Sequence, residues 1–269
     1  MNKIGLIAGA GELPVVFAKE VSQKKIPLEI FAFKKISDKK LKQYAPVKWF
    51  HFGEAQKLID SMKKANVKDV VMLGKIEHYS LIFSFHKLDK KAKDFFSSLK
   101  DKRAKSILEA VIKELENEGF SFIDPSPYLS SLLVKEGLLN SIKPEKEFLK
   151  DAEFGLKIAK EIAQLDIGQT VVVKNGIVIA VEGIEGTDKC IIRGGKLGGK
   201  ETVVCKVARK NQDMRYDVPV IGPKTLKSMK KAKAKVLAVE AGKTYLLEKE
   251  KFIKLADKYK ISVIGFNLS

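Results

Sequence analysis

The sequence has few residues of the kinds that crosslink, coordinate metal or span membranes. Its two cysteines, Cys190 and Cys205, exclude a disulfide scaffold in a chain of 269 residues. Its three histidines, His51, His78 and His86, show no zinc-ligand spacing with those thiols. No apolar run approaches the ~18–20 residues needed to cross a bilayer. The apolar start Ile4–Ala8 is too short for a signal segment and runs directly into Gly9-Ala10-Gly11, so it reads as a strand. These absences make the cytoplasm the expected compartment. Arginine is also scarce, with Arg103, Arg193, Arg209 and Arg215 the four present.

Lysine is abundant. Lys plus Arg is 51 against 33 for Asp plus Glu, a net charge of +18. Such a balance points to an anionic partner: nucleic acid, a phosphorylated metabolite or an acidic membrane surface. Lysine supplies a diffuse field, whereas arginine recognises phosphate and carboxylate with two parallel hydrogen bonds. Three of the four arginines fall between 193 and 215, which singles out that stretch. No nucleic-acid module and no arginine–aromatic interleaving is visible, which argues against nucleic acid. A surface rich in Lys and Glu also suits a protein tuned for heat. With 45% hydrophobic residues the chain has a real core, and its length suits one large or two modest domains.

The hydrophobic pattern predicts an α/β fold: a Rossmann-like N-terminal domain and a mixed α+β C-terminal domain. Strands are expected at 3–8, Leu28–Phe33, Val47–Phe52 and Val67–Leu73, with helices after the first and over Lys57–Ala65. Residues 80–118 read as helical, ending at Gly119, before a strand at Phe120–Ile123. Asp124-Pro125-Ser126-Pro127 breaks the pattern. The expected division is a domain over 1–130, a linker over 131–145 and a catalytic domain over 146–269. A helix is expected from Pro144 to about Gln164. Strands follow at Thr170–Val173 and Ile177–Val181 around Asn175-Gly176, a strong hairpin signal. Further strands are expected near 202–208, 218–221, 236–239, 244–247 and 262–266, with helices from Pro223 and from 249. A faint repeat, Val178–Glu182 and Val236–Glu240, is explained by similar strand geometry.

Four segments have the composition of a site. Gly9-Ala10-Gly11-Glu12-Leu13-Pro14 lies between a strand and a helix, where glycines let backbone approach phosphate. Pro14 stands where a dinucleotide fingerprint needs a third glycine, which disfavours NAD and leaves a tight turn or a mononucleotide or nucleotide-sugar contact. Asp166-Ile167-Gly168-Gln169 precedes the hairpin as a cap or a polar contact. Glu185-Gly186-Thr187-Asp188 is expected in a loop, where its carboxylates and hydroxyl can hold a hard cation, accept from a sugar or simply make a turn. The densest segment runs from Lys206 to Pro223 and carries Arg209, Gln212, Asp213, Arg215 and Asp217. Carboxylates among cations suit a metal-assisted phosphoryl site, and the same residues suit a structural ion-pair loop.

Together these motifs resemble the LpxI type of UDP-2,3-diacylglucosamine pyrophosphatase, a lipid A biosynthesis family. The likeness runs through Asp166–Gln169, Ala180-Val181-Glu182, Glu185–Asp188, Lys206-Val207-Ala208, Gln212–Asp217 and then Pro219, Ile221 and Gly222, with Ile4–Pro14 matching as well. It implies Mg²⁺-dependent hydrolysis to UMP and 2,3-diacylglucosamine 1-phosphate (lipid X), with water attacking the α-phosphorus. It also implies a Rossmann-like first domain and substrate held between two domains. Asp217 falls on the essential aspartate of an Arg-x-Asp-x-Pro segment. The implied catalytic set is Asp217, Asp213, Arg215, Gln212 and Lys206, with Asp217, Asp213 and Asp188 as metal ligands. The substrate-binding set is Gly9, Gly11, Glu12, Leu13, Pro14, Gly74, Asp166, Gln169, Glu185, Gly186, Thr187 and Asp188. This chain departs from the usual pattern at Arg209-Lys210 and at Glu77-His78.

The composition suits such a substrate, because a basic protein can dock on the anionic inner-membrane surface at about 1 kcal/mol per cation. Lys224, Lys227, Lys230, Lys231, Lys233 and Lys235 form one basic run, which also reads as a plain solvated helix. Leu81, Ile82, Phe83 and Phe85 are candidates for acyl contact or for core. A homodimer is the family's suggestion and the common default. The rival readings are a hydrolase of a soluble nucleotide sugar and a basic membrane- or nucleic-acid-binding module without catalysis.

Overall fold

A computed structural model describes residues 3–74, 88–99, 104–209 and 219–268. They form two compact units, which divide between Leu129 and Ser130. The expected site residues Gln212, Asp213, Arg215 and Asp217 lie outside the described residues, as do Glu77, His78, Leu81, Ile82, Phe83, Phe85 and Lys210.

The first unit is built on five parallel strands: β1 (Ile4–Ala8), β2 (Leu28–Phe33), β3 (Val47–Phe50), β4 (Asp69–Leu73) and β5 (Ser121–Phe122). Their order is β3-β2-β1-β4-β5. That order places successive crossovers on opposite sides of β1, so the chain direction switches between β1 and β4. The central strands are buried on both faces, which is why they read as continuous apolar runs. Helix α1 (Leu13–Gln23) buries Leu13, Phe17 and Val21, the spacing of a single helical face. On the other side Leu58, Ile59 and Met62 of α2 (Ala55–Lys64) join Phe31, Val70 and Met72 in one core with Ile112 and Leu115. The last two belong to α4 (Ala104–Asn117), which follows α3 (Lys90–Ser98). The short helix α5 (Ser126–Leu129) closes the unit, with Tyr128 edge-on to Phe17.

The second unit contains a six-stranded mixed sheet in the order β6-β13-β11-β9-β7-β8. The strands are β6 (Gly137–Leu138), β7 (Thr170–Lys174), β8 (Ile177–Val181), β9 (Val203–Lys206), β11 (Val236–Glu240) and β13 (Ser262–Phe266). Strands β9, β11 and β13 are parallel, and β7 runs antiparallel to β9. A two-stranded parallel ribbon, β10 (Val220–Ile221) with β12 (Tyr245–Leu246), lies between the crossovers. The segment 131–145, expected as a linker, belongs to this unit: Val134 is in its core and β6 pairs with β13. Burial of Val134 and the packing of Leu139 against the same core provide the driving force.

The two sheet faces are covered unequally. Among the described residues, helix α6 (Lys146–Gln164) alone lies on one, burying Ala152, Leu156, Ala159 and Ala163 against Val171, Val173, Cys205 and Ala238. Helices α7 (Thr187–Gly198), α8 (Pro223–Ala232) and α9 (Lys249–Tyr259) lie on the other, against Val172, Val204, Leu237 and Val263. The alternation of neighbouring strand residues between the two cores is the period of two made visible. Asn175 and Gly176 both take positive φ, as the hairpin signal required, and buried Asp151 accepts from both their N–H groups at 2.7 Å.

Helix α7 departs from the sequence expectation, which placed 185–188 in a loop and no helix after it. Its three glycines, Gly194, Gly195 and Gly198, with Gly199 at the C-cap, argue against a helix by propensity. Packing overrides them. A Cβ on Gly194 would lie 2.7 Å from the Val172 side chain, and one on Gly195 would lie 2.5 Å from the Ala232 carbonyl oxygen. Glycine therefore lets α7 sit directly on β7 and α8. Gly195→Ala accordingly tests packing against propensity. Propensity alone gains about 1 kcal/mol from the change, whereas overpacking against backbone costs about 1–3 kcal/mol. We expect a lowered Tm in a thermal melt; a raised one would refute the close packing.

Candidate functional site

In the first unit the residues of interest gather where β1 and β4 end. Gly9 N–H donates to the Leu73 carbonyl at 2.8 Å, tying the loop to β4. Ser37, buried in the turn after β2, donates to the Ala8 carbonyl at 2.6 Å and accepts from Phe33 N–H at 2.8 Å. Gly74 has φ +98°, and a Cβ there would lie 2.8 Å from Ala10 O, so only glycine permits this approach. Gly11 also has positive φ but faces open space. The loop thus offers exposed backbone at the switch point of a parallel sheet, where α/β folds bind ligands. Glu12 is exposed at the N-cap of α1. Leu13 and Pro14 are buried, so these expected contact residues serve the core of this unit.

In the second unit the site forms at the carboxyl end of β9. Thr170, which opens β7, stands opposite Lys206, the last residue of β9. Lys206 Nζ donates to Thr187 Oγ1 at 3.0 Å, and Thr187 donates to Glu182 Oε1 at 3.0 Å. Thr170 Oγ1 donates to Thr187 Oγ1 at 3.3 Å, and Gln169 N–H to Glu182 Oε2 at 3.3 Å. One hydroxyl thereby links an ammonium to a carboxylate in a partly buried setting, where such charge-assisted bonds are strongest. Glu182 was not among the expected site residues. Its sequence signals are its position at the end of an apolar strand and its place in Ala180-Val181-Glu182, one of the segments that carry the resemblance.

The surrounding residues brace this cluster. A Cβ at Gly168 would lie 2.1 Å from the Glu182 carbonyl oxygen, which accounts for the glycine in Asp166-Ile167-Gly168-Gln169. Asp166 takes φ +59° and pairs with Arg209 Nε at 2.9 Å. Glu185 accepts from Gly183 N–H at 3.1 Å and pairs with Arg193, whose guanidinium also donates to the Val181 carbonyl at 2.7 Å. The hydrogen bond from Arg193 holds the Glu185 carboxyl below its ordinary value. Glu185, expected to bind substrate, is thus engaged in fixing the turn. Gly186 caps α7 with φ +80°. Asp188 lies in the first turn of α7, where the helix dipole favours a carboxylate. It accepts from Ser228 at 3.0 Å and pairs with Lys224 at 3.0 Å.

The site residues therefore fall into two groups, one in each unit, and both match a single family. The family models for the LpxI N-terminal and LpxI C-terminal domains match residues 3–132 and 135–264. The chain belongs to the LpxI family. It is 29% identical, over 276 residues covering 98% of each chain, to the UDP-2,3-diacylglucosamine pyrophosphatase LpxI of Caulobacter vibrioides. The LpxI N-terminal match contains the glycine loop, and the LpxI C-terminal match contains the Lys206–Thr187–Glu182 cluster.

Among the described residues, no three His, Cys, Asp or Glu side chains come together as a metal-binding group, and no helix is long and apolar enough to cross a membrane. Both thiols are buried. Burial pushes Cys190 up to about 12 and raises Cys205 as well. At neutral pH neither is a thiolate, the form that reacts. Native protein should therefore resist a disulfide exchange reagent and react fully once unfolded. Rapid labelling of the native form would show the thiols to be accessible.

Proposed function

We propose that this chain hydrolyses the diphosphate of UDP-2,3-diacylglucosamine to UMP and 2,3-diacylglucosamine 1-phosphate, a step of lipid A biosynthesis, with water attacking the α-phosphorus. The observation that carries the reading is the match to both LpxI domains over nearly the whole length. The cluster at the end of β9 is consistent with it. Lys206 brings a cation, held in place by Thr187, to the edge of a sheet where substrates of α/β folds bind. A fixed ammonium stabilises charge that builds on phosphate oxygens during bond breaking. The exposed backbone at Gly11, just before α1, suits a nucleotide or phosphate group.

Mg²⁺ is the proposed cofactor, and the donor set fits a hard cation. The expected ligands Asp188, Asp213 and Asp217 are all carboxylates, the oxygen chemistry that Mg²⁺ prefers. Asp188 is the described member, and its partner Lys224 is 86% exposed, so a cation can replace that ammonium at little cost. When bound, the metal would neutralise the diphosphate. We assign to Asp217 either a place among its ligands or the deprotonation of the attacking water, with Asp213, Arg215 and Gln212 as supporting catalytic groups. The diacyl substrate lies in an anionic membrane. The reading includes peripheral docking through the +18 charge and a homodimeric assembly.

Product analysis in ¹⁸O-water tests the reaction. The label should enter UMP; label in the lipid phosphate would place attack at the other phosphorus. Turnover that is indifferent to the acyl chains would favour a soluble nucleotide sugar. EDTA should abolish turnover and Mg²⁺ restore it, and full activity in excess chelator would remove the metal from the scheme. Asp217→Ala should lower kcat by about 10²–10⁴-fold while the folded variant still binds substrate. Near-normal turnover with a lowered Tm would make Asp217 a structural ion-pair partner. Thr187→Val keeps the shape and removes the link between Lys206 and Glu182. A hydrogen bond to a charged group contributes about 1.5–3 kcal/mol, so kcat/KM should fall about 10–100-fold, with a thermal melt recorded to correct for the folded fraction.

A further inference from the structure

The chain leaving β9 is held at every residue. Lys206 pairs with Thr170 across the sheet. Val207 N–H donates to the Gln169 carbonyl at 3.0 Å. Ala208 lies beyond the ladder, yet both its backbone groups are engaged by side chains. Its N–H donates to Glu240 Oε2 at 2.8 Å, and its carbonyl accepts from Lys160 Nζ at 3.0 Å. Lys160 Nζ in turn meets both Glu240 oxygens at 2.7 Å. Arg209 then pairs with Asp166.

The Lys160–Glu240 pair is an unusual component. The Glu240 side chain is 8% exposed and that of Lys160 is 24% exposed. Burying such a pair recovers little stability once desolvation is counted. Val207 and Ala208 are themselves buried, so hydrophobic packing already anchors the strand. What the ion pair adds is direction. It replaces a neighbouring strand for one residue and fixes both hydrogen-bonding groups of Ala208. The nine residues that follow Arg209 carry Gln212, Asp213, Arg215 and Asp217. On the return side Pro219 accepts from Tyr245 N–H at 2.9 Å, and Leu247 N–H donates to Ile221 at 2.9 Å.

We propose that Lys160 and Glu240 are positioning residues for the pyrophosphatase reaction, acting through Ala208 and Arg209 to set where the catalytic segment leaves the sheet. The proposal rests on the function given above. Displacement of reacting groups by about 1 Å can cost about 10²-fold in rate, so a clamp of this kind is read in kcat and not in binding.

The informative variant is the double substitution Lys160→Met/Glu240→Leu, because it leaves no unpaired buried charge and apolar replacement of such pairs preserves folding. Lys160→Arg is the conservative companion, since a guanidinium keeps the charge and can bridge the carboxylate. Turnover of UDP-2,3-diacylglucosamine is measured together with hydrogen exchange of the peptide covering 205–209. The double variant should stay folded with a lowered Tm, because buried Ala208 loses a partner for each backbone group, exchange the Ala208 amide at least tenfold faster and lose about 10–100-fold in kcat, with KM within threefold. Lys160→Arg should recover most of kcat. Unchanged exchange would show that the pair does not hold the chain, and unchanged kcat with faster exchange would make the clamp irrelevant to catalysis. If the double variant fails to fold, Glu240→Gln with Lys160→Arg applies the same two readouts. No turnover by wild type would instead overturn the pyrophosphatase reading, leaving the exchange rates to decide whether the clamp holds the chain.

Discussion

The second unit depends on one close approach, that of helix α7 to strand β7 and helix α8 through Gly194 and Gly195. A Cβ at Gly194 would lie 2.7 Å from Val172 and one at Gly195 2.5 Å from the Ala232 carbonyl oxygen, so ordinary side chains would push the helix outward. The start of the same helix carries Thr187, bonded to Lys206 and Glu182, and Asp188, bonded to Ser228. The glycines give up helix propensity to place the helix start. Local preference is thus sacrificed where a fixed polar cluster is needed, as is common where a fold carries function.

Each unit presents its polar residues at the carboxyl ends of its parallel strands, by different means. In the first unit the groups on offer are backbone, shaped by Gly9, Gly11 and Gly74 and fixed by the buried Ser37 hydroxyl. In the second they are side chains. Two of these, Glu182 and Glu240, end the similar strands Val178–Glu182 and Val236–Glu240, and both do comparable work. Glu182 accepts from Gln169 N–H and the Thr187 hydroxyl; Glu240 accepts from Ala208 N–H and the Lys160 ammonium. A carboxylate at a strand end takes up the first backbone donor beyond the ladder and a second, side-chain donor beside it. The repeat that strand geometry alone seemed to explain therefore also marks the two places where chain direction is fixed.

Much of this was legible from residue order. The parallel first sheet followed from apolar runs alternating with helical spacing, and the hairpin from Asn175-Gly176. The glycine loop and Lys206 were visible because glycine and lysine in those contexts have few other uses. Helix α7 was not legible, because its glycines are explained only by Val172 and Ala232, residues distant in sequence. Residues 131–145 read as a linker in sequence because short β6 has no periodicity of its own and exists only by pairing with β13. Lys160 and Glu240 were hidden for the same reason: each is an ordinary surface residue type until the fold brings them together from 80 positions apart.

The lysine excess is better understood as a field than as a patch. On α8, Lys224 near the helix start pairs with Asp188, Lys230 lies 4.6 Å from the centre of the Tyr259 ring, and Lys235 beyond the helix faces Glu201 at 4.0 Å. These lysines thus have separate partners spread along and beyond the helix. In the first unit Lys63 and Lys91 converge on Glu118, with Glu114 beside Lys91, a surface network of the kind that gains value with temperature. Charge spread in this way raises the local concentration of any polyanion or acidic surface without choosing among them. In the second unit Lys206 is instead held by a hydrogen bond to Thr187, with Arg193 and Arg209 each tied to a carboxylate nearby. Cations fixed in this way suit selection among anions, whereas a diffuse lysine field suits attraction alone.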